Sequence, residues 1–582
     1  MQRLYDRFRQ RALFPRSHQS SAAVAGGGPA LRQCLGSWDL LFLAVGSAVG
    51  AGIFVVTGVA ARDLAGPAVT ISYLLAGFTA LLSGLSYLEF AVDLPVAGGA
   101  FTYVSLVFGE LPGWIVACNI LLEYTLSTSA VARGLSGYLA ALFGSRDDIL
   151  LLPLGPLKLD FLAAGLVALL TILLCYGTAE SAFANNVITS TNIIVIVYVI
   201  CAGAPYGSVD NLVPFAPQGA RGIFAAASVV FFSFVGFDGA VTAVEEAKDP
   251  RDLPWSIMAA VVICTVLYVS MALAICLMQP TALIDTSSPF AAAFLACIPA
   301  GAGTSGFDWI FLTTSARFIA FGAVTGIITT ALATILGQAR VFAVLGREHL
   351  LPAWLAQVHP KRLTPVNATL VTGICSGLPA LLVDLESLAE LVSIGTLFVF
   401  FTLSAAVLWR RHCEASGPSM NLIFSMLGLC VYSIGASLSY TLGAHIAVPL
   451  LFLAAWLLAT VSMCFLPTIC KGVQFSVPWC PFIPSLAMLA NVHLIVSLGW
   501  PAYVRFGVWL VISLLVYILY SMNNAEAMED NKPSRIGKSS SLQEVEMGDT
   551  QRATDSEVEE LSMRMEEQQL LREGLQDSSA EP

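Results

Sequence analysis

Charge is scarce in this chain. Only 12% of its 582 residues are Asp, Glu, Lys or Arg, 57% are hydrophobic, and the mean hydropathy is +0.78. A soluble globule carries about 25% charged residues, so the composition excludes one and points to an all-α polytopic membrane protein. The net charge of −11 is a local property: residues 525–582 hold 15 acidic and 6 basic side chains, which leaves a net of −2 elsewhere. Other absences narrow the function. Basic patches interleaved with aromatics are missing, which excludes a nucleic-acid partner, and no GxxxxGK[ST] loop is present to cradle ATP. The 13 cysteines form no CxxC pair and mostly stand singly in apolar runs, as Cys118, Cys175, Cys201, Cys264 and Cys375 do. The six histidines show no HExxH spacing and no cluster with cysteine, so neither a metal site nor any other cofactor is expected. Nothing in the pattern points to an enzyme.

What is present is a succession of long apolar runs. At about 20 residues per span, fourteen candidates lie near 37–60, 67–91, 112–142, 159–177, 184–203, 220–243, 254–279, 314–340, 366–383, 388–409, 423–441, 446–469, 481–498 and 503–521. Orientation follows from Lys and Arg in the short loops. Arg3, Arg7, Arg9, Arg11, Arg16 and Arg32 precede the first span, and Lys248, Arg251, Arg340, Arg347, Lys361, Arg362, Arg410, Arg411 and Lys471 share its starting side. That side is cytosolic, and an even span count puts both termini there. The Arg-rich start, with Asp6 its only acid, also has the look of an organellar transit peptide, but a cytosolic flank is the preferred reading. Asn367-Ala368-Thr369 is the sole Asn-X-Ser/Thr match, and on this topology it escapes glycosylation.

Two spans are interrupted at mid-length, at GSAVGAGIF (Gly46 to Phe54) and FFSFVGFDG (Phe231 to Gly239). Each of Gly46, Gly50 and Gly52 forfeits roughly 1 kcal/mol of helix propensity relative to Ala, so the backbone is expected to unwind. Unwound backbone at membrane depth must be buried in protein or line a cavity or bound solute. Interrupted helices at corresponding places in two halves are a pointer to a solute site; close packing of small residues is the plainer alternative. Amides at Gly50, Ala51 and Gly52 would suit a carboxylate, and carbonyls near Phe232, Ser233 and Val235 an ammonium. The first span runs inward to outward and the sixth the reverse, as inverted five-helix repeats require.

Glu123 lies about eleven residues into the third span, and intramembrane carboxyls default to a functional reading. It either faces a substrate guanidinium or is a structural, hydrogen-bonded carboxyl. Arg133, ten residues on and about 15 Å away along a helix, is out of its reach. Asp238 is expected to cap amides of the second break. Glu245, Glu246, Lys248, Asp249, Arg251 and Asp252 crowd one cytosolic loop, either paired with the basic loop from Arg340 to Arg362 as an inner gate or simply solvated. The tail is polar and acidic, as disordered segments are. Its Glu566 to Leu571 stretch reads ExxxLL, the form of a sorting-adaptor signal for endolysosomal or vacuolar membrane; an amphipathic helix built on Val558, Leu561, Met565 and Leu575 is the alternative.

GSAVGAGIF, FFSFVGFDG and the DPRDLP loop (Asp249 to Pro254) resemble the amino acid-polyamine-organocation superfamily. QARVFAVLGREHLLP (Gln338 to Pro352), TPVNATL (Thr364 to Leu370), DLESLAELVSIGTL (Asp384 to Leu397) and VPWCPFIPSLAMLANVHL (Val477 to Leu494) resemble its cationic amino acid transporter family. The resemblance covers about residues 31–521. It implies a ten-helix transporter core in two inverted repeats (37–203 and 220–409), four additional transmembrane helices (410–521), a basic segment (1–36) and a tail (522–582). It implies a secondary transporter of arginine, lysine or ornithine working by alternating access. The family's carboxylate-binding backbone falls on Ala48, Gly50, Ala51 and Gly52, its ammonium-binding backbone on Phe232, Ser233 and Val235, and its aromatic gate on Phe234 or Phe237. Where some bacterial relatives carry a membrane-embedded Lys, this chain has Asn192, which holds no charge and favours potential-driven uniport. Asn185, Asn186 and Thr189 on the same helix could instead make interhelical hydrogen bonds. Alternatives are a neutral amino acid or polyamine transporter, or an amino acid-binding receptor. The resident membrane is expected to be the plasma membrane or a vacuolar or endolysosomal one.

Overall fold

The computed structural model describes residues 36–50, 52–94, 98–143, 151–154, 157–176, 182–241, 247–298, 307–359, 364–413, 417–472 and 474–522. These are almost wholly helical. The first apolar run forms α1 (Ser37–Ala48), started by Asp39, whose carboxylate accepts from the Gly36 amide at 3.1 Å. Val49 then leaves the helix in an extended conformation, and wide-turned helix resumes over 52–65. There follow α2 (Val69–Asp93), the short α3 (Gly99–Phe108) and the 34-residue α4 (Glu110–Phe143). A two-stranded hairpin, Leu151–Leu154 with Leu157–Asp160, leads into α5 (Phe161–Tyr176) and α6 (Ala182–Gly203).

The second interrupted run is α7 (Gly219–Val230), a tight turn over Phe231–Phe234, extended Val235, and α8 (Phe237–Val241). Gly236 has φ of +119°, which a side-chain-bearing residue rarely adopts. Beyond it come α9 (Leu253–Met278), α10 (Pro289–Ala296), the 41-residue α11 (Phe307–Arg347), α12 (Val366–Leu382) and α13 (Leu385–His412). Four helices close the chain: α14 (Met420–Thr441), α15 (Ala447–Cys464), α16 (Phe482–Ser497) and α17 (Trp500–Val516).

Ten helical stretches among the described residues are long and apolar enough to cross a bilayer; the first runs through the α1 break to Asp93 and takes in the first two expected spans. The fourth, ninth and thirteenth expected spans are α5, α12 and α16, of 16, 17 and 16 residues, apolar but short. Burial sorts the bundle. The most apolar stretch of α4 is 83% buried within the protein and that of 500–521 only 17%, so α4 belongs to the core and α17 to its periphery. α4 packs on α11 and α13, α1 on α6, α8 and α9, and α2 on α9. The four last helices attach to this core chiefly through α16, which lies against α13 and α2.

Candidate functional site

The two interrupted helices meet at their breaks. A Cβ at Gly52 would collide with the Cα of Ser233 and approach its Cβ and Oγ to 2.9 Å, so only glycine lets the first break close on the second. Reciprocally, a Cβ at Gly236 would run into the Ser47 carbonyl. Gly50 is held as tightly by Thr330 of α11, and Gly46 by Thr189 of α6. The expected helix-packing role of these glycines and their role in opening the backbone therefore coincide at one place.

Three tyrosines fasten the breaks. The Tyr268 hydroxyl on α9 lies 2.8 Å from the Ala48 carbonyl and 3.1 Å from that of Ser233. Tyr73 on α2 is 2.7 Å from the Thr57 hydroxyl and 3.4 Å from that of Ser233. Tyr138 on α4 donates to the Phe54 carbonyl at 2.6 Å. All three are buried with their rings packed in the core; the hydroxyls of Tyr268 and Tyr138 are spent on backbone carbonyls that regular helix would have satisfied, and that of Tyr73 on the Thr57 and Ser233 hydroxyls. Sequence reasoning missed them; the available signal was a tyrosine in the middle of an apolar span, whose polar tip needs a partner.

Each expected site residue has a definite place. Ala48 ends α1 at the break, with Gly50 and Gly52 on its far side; Ala51 lies outside the described residues. Phe232, Ser233 and Val235 form the second break, where the Phe232 carbonyl accepts from the Val235 amide at 3.1 Å. Phe234 and Phe237 are both buried but face different neighbours: Phe234 meets the Tyr268 ring at 5.3 Å, whereas Phe237 stacks on Phe400 of α13 at 5.3 Å. Asp238 does cap the break, taking the Gly236 amide at 3.0 Å.

Glu123 is 1% exposed on α4, hydrogen-bonded to Thr396 of α13, and its Oε1 has no partner among the described residues. The Asp238 carboxyl is its electrostatic neighbour, and the adjacent Tyr124 hydroxyl borders Gly239. Two buried carboxyls thus share one region at the second break, and no Lys, Arg or His among the described residues pairs with Glu123. Arg133 is engaged elsewhere, donating to the Ala380 and Leu381 carbonyls at 2.8 and 2.9 Å, where it caps the C-terminus of α12.

Asn192, 2% exposed on α6, faces Gly326 of α11, and its Oδ1 has no partner among the described residues. Nearby polar groups make interhelical bonds: Asn186 donates to Asp39 of α1 at 3.2 Å. On the side assigned to the cytosol, Asp249 accepts from the Arg251 amide of its own loop at 2.9 Å. No described ion pair joins this loop to Arg340 or Arg347; the buried pairs there are Asp93–Arg410 at 2.8 Å and Glu89–Arg411 at 2.5 Å. Glu245, Glu246, Lys361, Arg362 and the Glu566 to Leu571 stretch lie outside the described residues.

Two interrupted apolar helices in contact inside a multi-pass bundle define a membrane transporter. The chain belongs to the amino acid permease family, which it matches over residues 35–487, with a further match to the C-terminus of AA_permease over 475–525. It is 38% identical to cationic amino acid transporter 7, chloroplastic, of Arabidopsis thaliana, over 87% of this chain and 88% of that one. It is 36% identical to cationic amino acid transporter 1 of the same plant, over 94% and 91%. It is also 34% identical to the branched-chain amino acid permease BcaP of Bacillus subtilis, over 88% and 98%. It is thus a multi-pass amino acid permease, not an enzyme.

Proposed function

We propose that this permease is a secondary transporter that carries cationic amino acids, namely arginine, lysine or ornithine, by alternating access. The observation behind the substrate class is the pair of buried carboxyls, Glu123 and Asp238, with an unpartnered Glu123 oxygen beside the second break. Burying a charge without a partner is costly, and a guanidinium or ammonium arriving with the substrate removes that cost. The names of the plant relatives agree.

In this reading the substrate carboxylate takes amides at Ala48, Gly50, Ala51 and Gly52, its α-ammonium takes carbonyls at Phe232, Ser233 and Val235, and Phe234 or Phe237 closes over it. The close approach of Gly52 to Ser233 supports one shared site across both breaks. The core would be ten helices in two inverted repeats plus four more, fourteen in all, with both termini in the cytosol. Asn192 carries no charge to couple protons, so the membrane potential drives uniport at about 2.3 kcal/mol per charge per 100 mV. The resident membrane is plasma membrane or, if an adaptor reads Glu566 to Leu571, a vacuolar or endolysosomal one.

A second reading has the BcaP likeness behind it: a neutral, branched-chain substrate at the same backbone site. Radiolabelled arginine uptake into proteoliposomes separates the two, with imposed pH and potential gradients and with lysine, leucine and putrescine as competitors. Potential-driven uptake blocked by lysine supports the cationic reading. Uptake blocked by leucine alone supports the neutral one, and saturable binding without accumulation supports a receptor.

A further inference from the structure

A polar cavity of about 320 Å³ opens far from the breaks, between the end of α13 and the loop 465–481; Arg411, His412, Thr468, Lys471, Ser476 and Trp479 line it. We propose that it binds the phosphate of an anionic lipid headgroup. The surrounding charges do not cancel. Arg410 is used by Asp93, and Arg411 is used by Glu89 through both Nε and Nη2. Lys471 has no ion-pair partner among the described residues. His412 is 5% exposed, and its Nδ1 donates to the Leu408 carbonyl at 2.9 Å, so in the neutral ring Nε2 is an acceptor and adds no donor to the cavity. The cavity therefore offers one unneutralised ammonium and the hydroxyls of Thr468 and Ser476, donors that fit a phosphate oxygen cluster.

The rim selects a lipid over a free anion. Trp479, which lines the cavity, is 82% exposed. Phe465 and Ile469, 85% and 47% exposed, stand in the same loop. An exposed tryptophan on a polar pocket, with further exposed apolar side chains in the same loop at the ends of membrane helices, belongs at the headgroup level of a bilayer. Basic pockets on the cytosolic side of membrane helices recognise anionic headgroups, and the proposed topology puts this one there.

The test uses the full chain in phosphatidylcholine nanodiscs with and without phosphatidic acid, read as the shift in melting temperature and as lipid retained in native mass spectrometry. Phosphatidic acid should raise the wild-type melting temperature. Lys471→Ala should weaken retention about fivefold, the effect of one basic residue near the surface, and Lys471→Arg should restore it. If Lys471→Ala does not fold, judged by its melting in phosphatidylcholine alone, Ser476→Ala carries the comparison, with a smaller loss expected. Equal retention by wild type and folded variants overturns the proposal. So does equal stabilisation by inorganic phosphate in phosphatidylcholine alone, which would make the site one for soluble anions.

Discussion

The Tyr268 hydroxyl stands between the carbonyls of Ala48 and Ser233, one from each interrupted helix, at 2.8 and 3.1 Å. A phenol has a single proton, so it serves one carbonyl at a time, and the other is left with spare acceptor capacity. That makes Tyr268 a clasp that can hold the breaks together without locking them. Tyr268→Phe keeps the ring contacts with Tyr73 and Phe234 but removes the proton. A lost hydrogen bond is worth roughly 1 kcal/mol, so the expected outcome is a rise of about fivefold in the KM for uptake with little change in the amount of folded protein. Uptake kinetics beside size-exclusion profiles check this; unchanged KM would deny Tyr268 any part in the site.

Gly52→Ala places a methyl against the Cα of Ser233. Because backbone is the obstacle, a flexible side chain cannot swing aside, and overpacking of this kind costs about 1–3 kcal/mol. Uptake should fall more than tenfold, and a second change, Ser233→Gly, should not restore it, since the Cα remains. Gly84→Ala is the control: its methyl would meet the Phe237 ring at an ordinary 3.6 Å, and uptake should persist.

Much of this arrangement was legible before any coordinates. Glycine spacing located both breaks because helix propensity is local, and long apolar runs located the helices because membrane depth imposes a length. Asp238 could be read as a cap since its partner, Gly236, is two residues away. What stayed hidden is long-range or short. Glu89 and Arg411 are 322 residues apart and carry no shared pattern. Tyr73 and Tyr268 look like core aromatics until the hydroxyls and carbonyls they bond across the breaks are known. The ten residues of α3 are too few to register as a span. The charges of the loop from Glu245 to Asp252 left both a gate and a solvated run open because composition reports charge but not pairing.

The Glu89–Arg411 pair should contribute far more to stability than its exposed counterpart. Glu89 is 1% exposed, Arg411 7%, and Glu89 also takes the Val477 amide at 2.7 Å, tying α2, α13 and the 465–481 loop. Removing one partner of a buried pair costs about 3–5 kcal/mol, because the other is left charged and alone. Arg505–Glu390 spans 3.4 Å with Arg505 41% exposed, a setting worth about 0–1 kcal/mol. Arg411→Ala should therefore lower the melting temperature of the purified protein clearly, and Arg505→Ala barely. Equal shifts would mean that water reaches the inner pair.

The topology has a chemical check at Asn367. Its amide donates to the Trp354 carbonyl at 2.9 Å from a half-buried position at the start of α12. If that end faces the cytosol, no glycan is added despite the matching sequence, and glycosidase treatment leaves the electrophoretic mobility unchanged. A mobility shift that vanishes in Asn367→Gln would invert the orientation and the whole assignment of sides.

Glu123→Gln separates recognition from architecture. The amide keeps the size of the carboxyl and can still bond Thr396, so α4 and α13 should stay packed. What it removes is the capacity to carry a negative charge in the region shared with Asp238, which in the proposed function is what a guanidinium or side-chain ammonium seeks. The α-carboxylate and α-ammonium would still find backbone at both breaks. Arginine and lysine uptake should then fall at least tenfold, while leucine, which asks nothing of this carboxyl, is transported as before or better. Equal loss of all three substrates would show that Glu123 holds the bundle together and that charge selection happens elsewhere.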